Sequence, residues 1–219
     1  FCAATTEIKP EISSIFIYSE EGILTFVATD SFRLSEKKLK IKNIPDISKI
    51  LIPYKNISDM LRVVDTFSNT IRISFNKNQL SLSWGGTYFT TRLIDGAFPD
   101  YQLILPKEEE TKVVMMKQEL LTTLRLSTVF SDKFSQIFFS ALPGEKKVVV
   151  ESKNSDVGSS EATIDAVIEG EGIEVTFNLK YFLDVFQALT GDSVVVSFTK
   201  PNKPILVKSV QDSSFLYSN

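Results

Sequence analysis

Short apolar or alternating segments, separated by turn-forming residues, run along the whole chain. Alternation of apolar and polar positions over about four to eight residues is typical of strands. In the first half, the pattern predicts strands at Ile15–Tyr18, Ile23–Ala28, Lys49–Ile52, Thr70–Phe75, Gln79–Trp84 and Thr87–Ile94. In the second half, it predicts strands at Lys112–Met115, Ile137–Leu142, Lys147–Glu151, Glu161–Ile168, Glu174–Phe177, Ser193–Thr199, Pro204–Val210 and Ser214–Tyr217. Strands therefore dominate both halves.

Three segments have helical spacing instead, with apolar residues that recur every three or four positions. The predicted helices are Asn56–Val64, Lys117–Phe130 and Leu179–Leu189. Together with the strands they indicate an α+β protein.

The two halves resemble each other. ILIPYKNISDMLRVV aligns with EVTFNLKYFLDVFQAL, with Lys55 over Lys180, and further upstream Ile15 aligns with Ile137. Accidental likeness between two α+β domains is the alternative, but the matching order of elements favours an internal duplication. The same alignment places a partner of the helix Lys117–Phe130 before Phe1, so we expect the first domain to lack most of its N-terminal helix.

The charged segment LPKEEET (Leu105–Thr111) has no apolar periodicity and is typical of an exposed connector. It predicts one domain at residues 1–105 and a second at 106–219. A chain of 219 residues with 43% hydrophobic residues has enough apolar content for two cores.

Composition narrows the chemistry. The chain has no histidine, which excludes Ser-His-Asp and Cys-His catalysis and histidine-containing zinc sites. Its one cysteine cannot form an internal disulfide, and no apolar run approaches the length of about 20 residues needed to span a bilayer, so we expect a cytoplasmic protein. Because the net charge is −3, contact with nucleic acid would require a local basic face.

Three stretches carry a family resemblance: ATDSFRLS (Ala28–Ser35), LIDGAFPDYQLILP (Leu93–Pro106) and FNLKYFLDVFQAL (Phe177–Leu189). In order and spacing they resemble the second and third domains of the bacterial DNA polymerase III beta subunit, the beta sliding clamp. The resemblance implies a DNA-clamp fold, in which domains built from duplicated βαβββ units place helices on an inner face and sheets on an outer face. It implies a non-catalytic processivity factor of the replicative polymerase that encircles duplex DNA without sequence specificity and needs no cofactor or metal, in a family often classified with DNA-directed DNA polymerases.

The resemblance also implies three sets of site residues. A groove that captures peptides from the polymerase alpha subunit, the clamp loader and repair proteins would comprise Ile12, Thr29, Ser31, Phe32, Arg33, Leu34, Pro99, Leu103, Ile104, Phe134, Asn178, Tyr181, Asn202 and Pro204. Residues facing DNA would be Lys9, Lys55, Arg62, Lys117, Arg125 and Lys180, with the Thr5–Lys9 loop. Thr128, Val129 and Phe130 would contribute to a homodimer interface.

Each assignment has a simpler alternative. Ile12, Leu34 and Ile104 could fill a core, and a cation on a helix is often only a solvated face. Asp30, Asp95 and Asp100 lack the spacing of a catalytic or metal-binding carboxylate motif and are expected in turns.

The sequence departs from the family at three places. Ser31-Phe32 replaces a usual Gly-His, Leu103 replaces a common Arg, and the chain ends at FLYSN without the usual Met-Pro segment. We therefore expect a truncated last strand, a piece of a longer protein and weakened peptide binding. The alternative functions are a two-domain protein that binds peptides or lipids without DNA, and an enzyme that uses carboxylates or lysine.

Overall fold

The computed structural model describes residues 1–6, 8–47, 49–65, 70–201 and 203–219. The chain forms two units, Phe1–Asp100 (unit 1) and Tyr101–Asn219 (unit 2). The division comes a few residues before the expected boundary at Pro106. Tyr101 explains the difference. Its side chain is buried, and the residue begins a 3-10 turn, Tyr101–Leu103, that precedes the charged connector.

Unit 1 opens with an antiparallel sheet in the order β4-β1-β2-β3. Its strands are β1 (Ser14–Glu20), β2 (Ile23–Thr29), β3 (Leu34–Lys40) and β4 (Ile50–Pro53). Glu21 and Gly22 both have positive φ, of 52° and 77°. A two-residue loop of this kind matches the twist of the flanking strands, so it joins β1 directly to β2.

A helix and a second sheet complete unit 1. Helix α1 (Tyr54–Val64) is followed by β5 (Arg72–Phe75), β6 (Gln79–Trp84) and β7 (Thr87–Arg92), which pair in that order. Ile17, Ile50, Ile52 and Leu80 form a buried cluster, with Ile57 and Met60 of α1 packed against it. The helix thus contributes its apolar face to the unit 1 core.

Unit 2 is one antiparallel sheet in the order β12-β9-β10-β11-β8-β13-β14-β15, with two helices. Its strands are β8 (Thr111–Met116), β9 (Gln136–Leu142), β10 (Lys147–Asn154), β11 (Gly158–Glu169), β12 (Ile173–Asn178), β13 (Ser193–Phe198), β14 (Leu206–Ser209) and β15 (Phe215–Ser218). Its helices are α2 (Lys117–Ser127), which continues as a 3-10 turn at Thr128–Phe130, and α3 (Leu179–Val185).

Aromatic side chains form the centre of unit 2. The Phe139 ring lies 5.8 Å from that of Phe177 and 5.5 Å from that of Phe198, and Phe177 lies 4.6 Å from Phe182 of α3. Leu120 and Leu124 of α2 are fully buried. Both helices are therefore packed by their apolar faces.

Every predicted strand and helix is present, with small shifts at the ends. Within the described residues, one strand was not predicted: β3, which pairs with β2 along its whole length. Helix α3 ends at Val185 instead of Leu189, and the end of the second predicted helix is the 3-10 turn. The order of β1 to β4, α1 and β5 to β7 repeats as β9 to β12, α3 and β13 to β15.

Candidate functional site

The turn between β2 and β3 carries four of the predicted groove residues. Thr29 Oγ1 donates to the Arg33 carbonyl oxygen over 2.7 Å and accepts from the Ser31 amide over 3.1 Å. Asp30 Oδ1 accepts from the amides of Phe32 and Arg33, both over 3.0 Å. These bonds hold Ser31 at a φ of 78°, and they leave the Phe32 side chain 71% exposed.

Arg33 is held in one orientation by its own unit. Its Nε lies 3.0 Å from Asp30 Oδ2, and its Nη2 donates to the Phe1 carbonyl oxygen over 3.1 Å. Both side chains of this ion pair are largely buried, so the pair is better shielded than a surface ion pair. Asp30 therefore has the structural role that its place in the sequence indicated.

The other predicted groove residues of unit 1 differ in accessibility. Leu34 is buried at 2% exposure, which fits the alternative core role. Ile12 is half-buried and Pro99 is exposed.

In unit 2, the residues Phe134, Asn178 and Tyr181 lie together at the start of α3. Asn178 Oδ1 accepts from the amides of Lys180 and Tyr181, over 3.0 Å and 3.3 Å, and so caps the helix. Asn178 Nδ2 donates to the Phe134 carbonyl oxygen over 3.3 Å. The Phe134 side chain is 61% exposed, with Lys133 Nζ 5.0 Å from its ring centroid.

Three more predicted groove residues of unit 2 are at the surface. Leu103, the last residue of the 3-10 turn Tyr101–Leu103, is 74% exposed, and Ile104, directly after the turn, is 58% exposed. Pro204 is exposed as well, and Asn202 lies outside the described residues.

The predicted DNA-facing residues are mostly solvent-accessible. Lys9, Lys55, Arg62, Arg125 and Lys180 are exposed, and Arg62 lies 3.5 Å from Asp59 on the same helix. Lys117 differs, because it is partly buried and its Nζ donates to the Leu189 carbonyl oxygen. Part of the Thr5–Lys9 loop, Glu7, lies outside the described residues.

The predicted interface residues Thr128–Phe130 adjoin a strand with a free edge. Gly158–Asp165 of β11 pair with β10, whereas Ala166–Glu169 pair with β8. Within the described chain, the second edge of Gly158–Asp165 therefore has no partner strand. Val129 is 63% and Val157 57% exposed next to this edge, so apolar side chains accompany the unpaired backbone.

Two kinds of reactive group can be assessed in the described residues, a metal centre and a nucleophilic thiol. They include no group of three or more histidine, cysteine, aspartate or glutamate residues that could hold a metal ion. Burial raises the pKa of the Cys2 thiol to about 11, because the Ser35 hydrogen bond and the Arg33 charge offset only part of the desolvation. A thiol with so high a pKa is a poor nucleophile at neutral pH. None of the helices in the described ranges has the length and hydropathy to span a membrane.

Comparison with known proteins gives the family. Residues 102–218 match the profile of the C-terminal domain of the DNA polymerase III beta subunit, and residues 1–100 match that of its central domain. The chain belongs to the DNA polymerase III beta subunit family. The DNA-clamp fold expected from the three sequence stretches is thereby confirmed.

Individual members of the beta subunit family match along nearly the whole chain. The beta sliding clamp of Staphylococcus aureus is 26% identical over 215 residues, which are 98% of this chain and 57% of that protein. The beta sliding clamp of Bacillus subtilis is 27% identical over 220 residues, which are 99% of this chain and 58% of that protein. The crystal structure of the Bacillus subtilis DNA polymerase sliding clamp superposes with a TM-score of 0.93 at 26% identity, covering 100% of this chain and 58% of that one. The chain thus spans little more than half the length of these relatives.

One residue that shapes the beta subunit surface around α3 was not predicted. Tyr217 donates its hydroxyl to the Tyr181 carbonyl oxygen over 2.8 Å, although the two residues lie far apart in sequence. A buried tyrosine needs a hydrogen-bond partner, but periodicity cannot show which carbonyl it reaches.

Proposed function

We propose that this chain forms part of a sliding clamp that tethers the bacterial replicative DNA polymerase to duplex DNA. The observation that carries the proposal is the match to two consecutive beta subunit domains over almost the whole chain. Such a clamp is a processivity factor without a chemical step of its own, because enclosure of DNA takes the place of tight binding. The alternative of a peptide- or lipid-binding protein without DNA is not favoured by this family membership.

The proposed DNA contacts are made by cations on the helices. Arg62 lies near the end of α1, Arg125 near the end of α2, and Lys180 in the first turn of α3. Exposed Lys and Arg side chains attract phosphates irrespective of base sequence, and this attraction weakens with salt. A protein that slides along DNA requires contacts of this kind, which do not depend on the base sequence. Lys117 is a weaker candidate, because its ammonium group already donates to the Leu189 carbonyl oxygen.

The proposed peptide contacts are made by the β2–β3 turn and by the start of α3. Both surfaces present exposed aromatic side chains, Phe32 and Phe134, on backbone fixed by side-chain hydrogen bonds. Aromatic residues and arginine are enriched in binding hot spots, and rigid backbone lowers the entropic cost of binding. A sliding clamp from Pseudomonas aeruginosa has been crystallised bound to griselimycin, which offers a probe for this chain.

The proposed contact with a second subunit uses the free edge of β11. An unpaired strand edge flanked by exposed apolar residues is a template for strand pairing with another chain. Gly158–Asp165 offers such an edge, beside Val129 and Val157. Thr128–Phe130 would then pack against the partner.

The DNA part of the proposal is tested by charge reversal. We compare the parent chain with the variant R62E/R125E/K180E and with the control variant K42E/K146E/K153E. The control changes the net charge by the same amount as the first variant, but at three exposed lysines that lie in turns or on a strand. Affinity for a 30-base-pair duplex is measured by fluorescence anisotropy across a salt series. The first variant should lower the slope of log affinity against log salt by about 1 for each phosphate that is no longer bound, whereas the control should retain it. Equal slopes in both variants would refute the assigned DNA face.

The clamp mechanism itself is tested on a closed ring. A ring assembled with this chain should be retained on closed circular DNA and released when that DNA is linearised. Equal retention on both forms would contradict enclosure as the basis of tethering.

A further inference from the structure

The Tyr217 side chain links the last strand of unit 2 to the first turn of α3. It is fully buried on β15, and its Oη donates to the Tyr181 main-chain oxygen over 2.8 Å. Because a buried phenol without a hydrogen-bond partner costs free energy, the bond favours one position of the helix relative to the strand.

Helix α3 needs external support. It has only seven residues, and a helix this short is not stable by itself in water. On one side its first turn is fixed by Asn178, whose side chain accepts from two helix amides and donates to the Phe134 carbonyl oxygen. The Leu179 amide donates to the Ser135 carbonyl oxygen over 2.7 Å. Tyr217 provides an additional attachment, from the sheet.

We propose that Tyr217 is a positioning residue for the peptide-contacting surface of α3. Its hydroxyl sets the place of the first turn, and thereby the place of Asn178 and Tyr181, which are both predicted to contact bound peptides. The inference rests on the proposed peptide-binding function. It predicts that a change at a fully buried side chain on β15 alters affinity at the surface of α3.

The test uses Y217F, which removes only the hydroxyl and leaves the ring in the core. T111V is the matched control: Thr111 is buried in the same unit, and its Oγ1 donates to the Glu171 carbonyl oxygen over 2.8 Å. Each variant thus loses one side-chain bond to a main-chain oxygen, and only Y217F loses it at α3. Amide hydrogen exchange is followed over residues 178–189, and affinity for griselimycin is measured by calorimetry well below the unfolding temperature.

We expect Y217F to exchange about three- to tenfold faster over α3 and to bind griselimycin about threefold more weakly, since one net hydrogen bond is lost. T111V should match the parent in both measurements. A general loss of stability would not change affinity in fully folded protein, so the binding difference separates positioning from mere structural support. Unchanged exchange over α3, or faster exchange with unchanged affinity, would overturn the proposal.

Failure of the proposed peptide site gives a different result. If the parent chain does not bind griselimycin at all, the proposed contacts fail as a griselimycin site and the ligand-positioning role of Tyr217 is refuted. The exchange measurement would then still decide whether Tyr217 holds the first turn of α3.

Discussion

Asn178 offers the sharpest test of the α3 surface, because one side chain both caps the helix and holds the Phe134 loop. Its Oδ1 accepts from two helix amides, and its Nδ2 donates to the Phe134 carbonyl oxygen. N178A removes all three bonds. Loss of an N-cap costs about 1 kcal/mol, and loss of the bond to Phe134 costs about 1 kcal/mol more, so we expect the free energy of unfolding to fall by about 2 kcal/mol.

N178D separates the two contributions. Aspartate keeps the capping oxygen and adds a negative charge at the helix N-terminus, which is worth about 0.3–1 kcal/mol, but it cannot donate to Phe134. We therefore expect N178D to lose at most about 0.7 kcal/mol, because the charge offsets part of the lost bond. Urea unfolding followed by circular dichroism at pH 7 measures both values.

A second asparagine in unit 2 provides the control. Asn154 Nδ2 donates to the Ser131 carbonyl oxygen over 2.9 Å, and its Oδ1 accepts from the Asp156 amide over 2.9 Å, in a turn instead of at a helix end. Relative to the alanine variant at the same position, the aspartate variant should therefore recover less stability at position 154 than at position 178. The reasoning is refuted if N178A costs less than about 0.5 kcal/mol, or if N178D is no more stable than N178A.

Three further predictions concern backbone strain and charge. S31G should raise the free energy of unfolding by up to about 1 kcal/mol in urea titrations, because relief of the positive φ exceeds the added entropy of the unfolded chain. G170A should lower the melting temperature markedly and cost about 3 kcal/mol or more, because the new Cβ would lie 2.1 Å from the Glu110 carbonyl oxygen at a φ of 97°. Burial of Glu109 raises the pKa of its carboxyl, but bonds from Lys208, Lys112 and Ser197 outweigh this and lower it below the usual value. The stability that this carboxylate contributes is present above the usual carboxyl pKa and lost as the pH falls through the lowered one, so E109Q should flatten the acid side of a stability–pH profile.

The one strand missed in the sequence shows where the apolar pattern fails. In β3 the two buried residues are Leu34 and Glu36, and Glu36 is buried at 5% exposure with its carboxylate 2.8 Å from Lys38 Nζ. A buried charged residue breaks the alternation from which strands are predicted. Only the pairing of β3 with the full length of β2 reveals the strand.

The end of α3 was misplaced for a related reason. Phe186 and Leu189 continue the helical spacing and are buried, so the pattern extends to Leu189 although the helix ends at Val185. Beyond Val185 the chain forms turns. The amides of Ala188 and Leu189 both donate to the Val185 carbonyl oxygen, and Lys117 Nζ donates to the Leu189 carbonyl oxygen. Periodicity reports which residues are buried, and it cannot distinguish a helix from a following turn that buries the same residues.

Of the candidate site, the sequence supplied residue identities through family resemblance, and the structure supplies the bonds that position them. The cap formed by Asn178 follows the common preference for asparagine before a helix. The bonds from Asn178 to Phe134 and from Tyr217 to Tyr181 join segments distant in sequence, so no local pattern predicts them.

The two copies of the repeat show that burial depends on the surrounding elements as well as on local sequence. Strand β13 pairs with β8 on one side and β14 on the other, and most of its residues are buried. Its counterpart β5 pairs in the described chain with β6 alone, and all four of its residues are exposed, including the apolar Ile73 and Phe75. The corresponding strands of the two copies thus differ in burial, with most residues covered in β13 and all of them open in β5. The duplicated sequence specifies which side chains can form a core, and the elements that surround each copy determine whether they do.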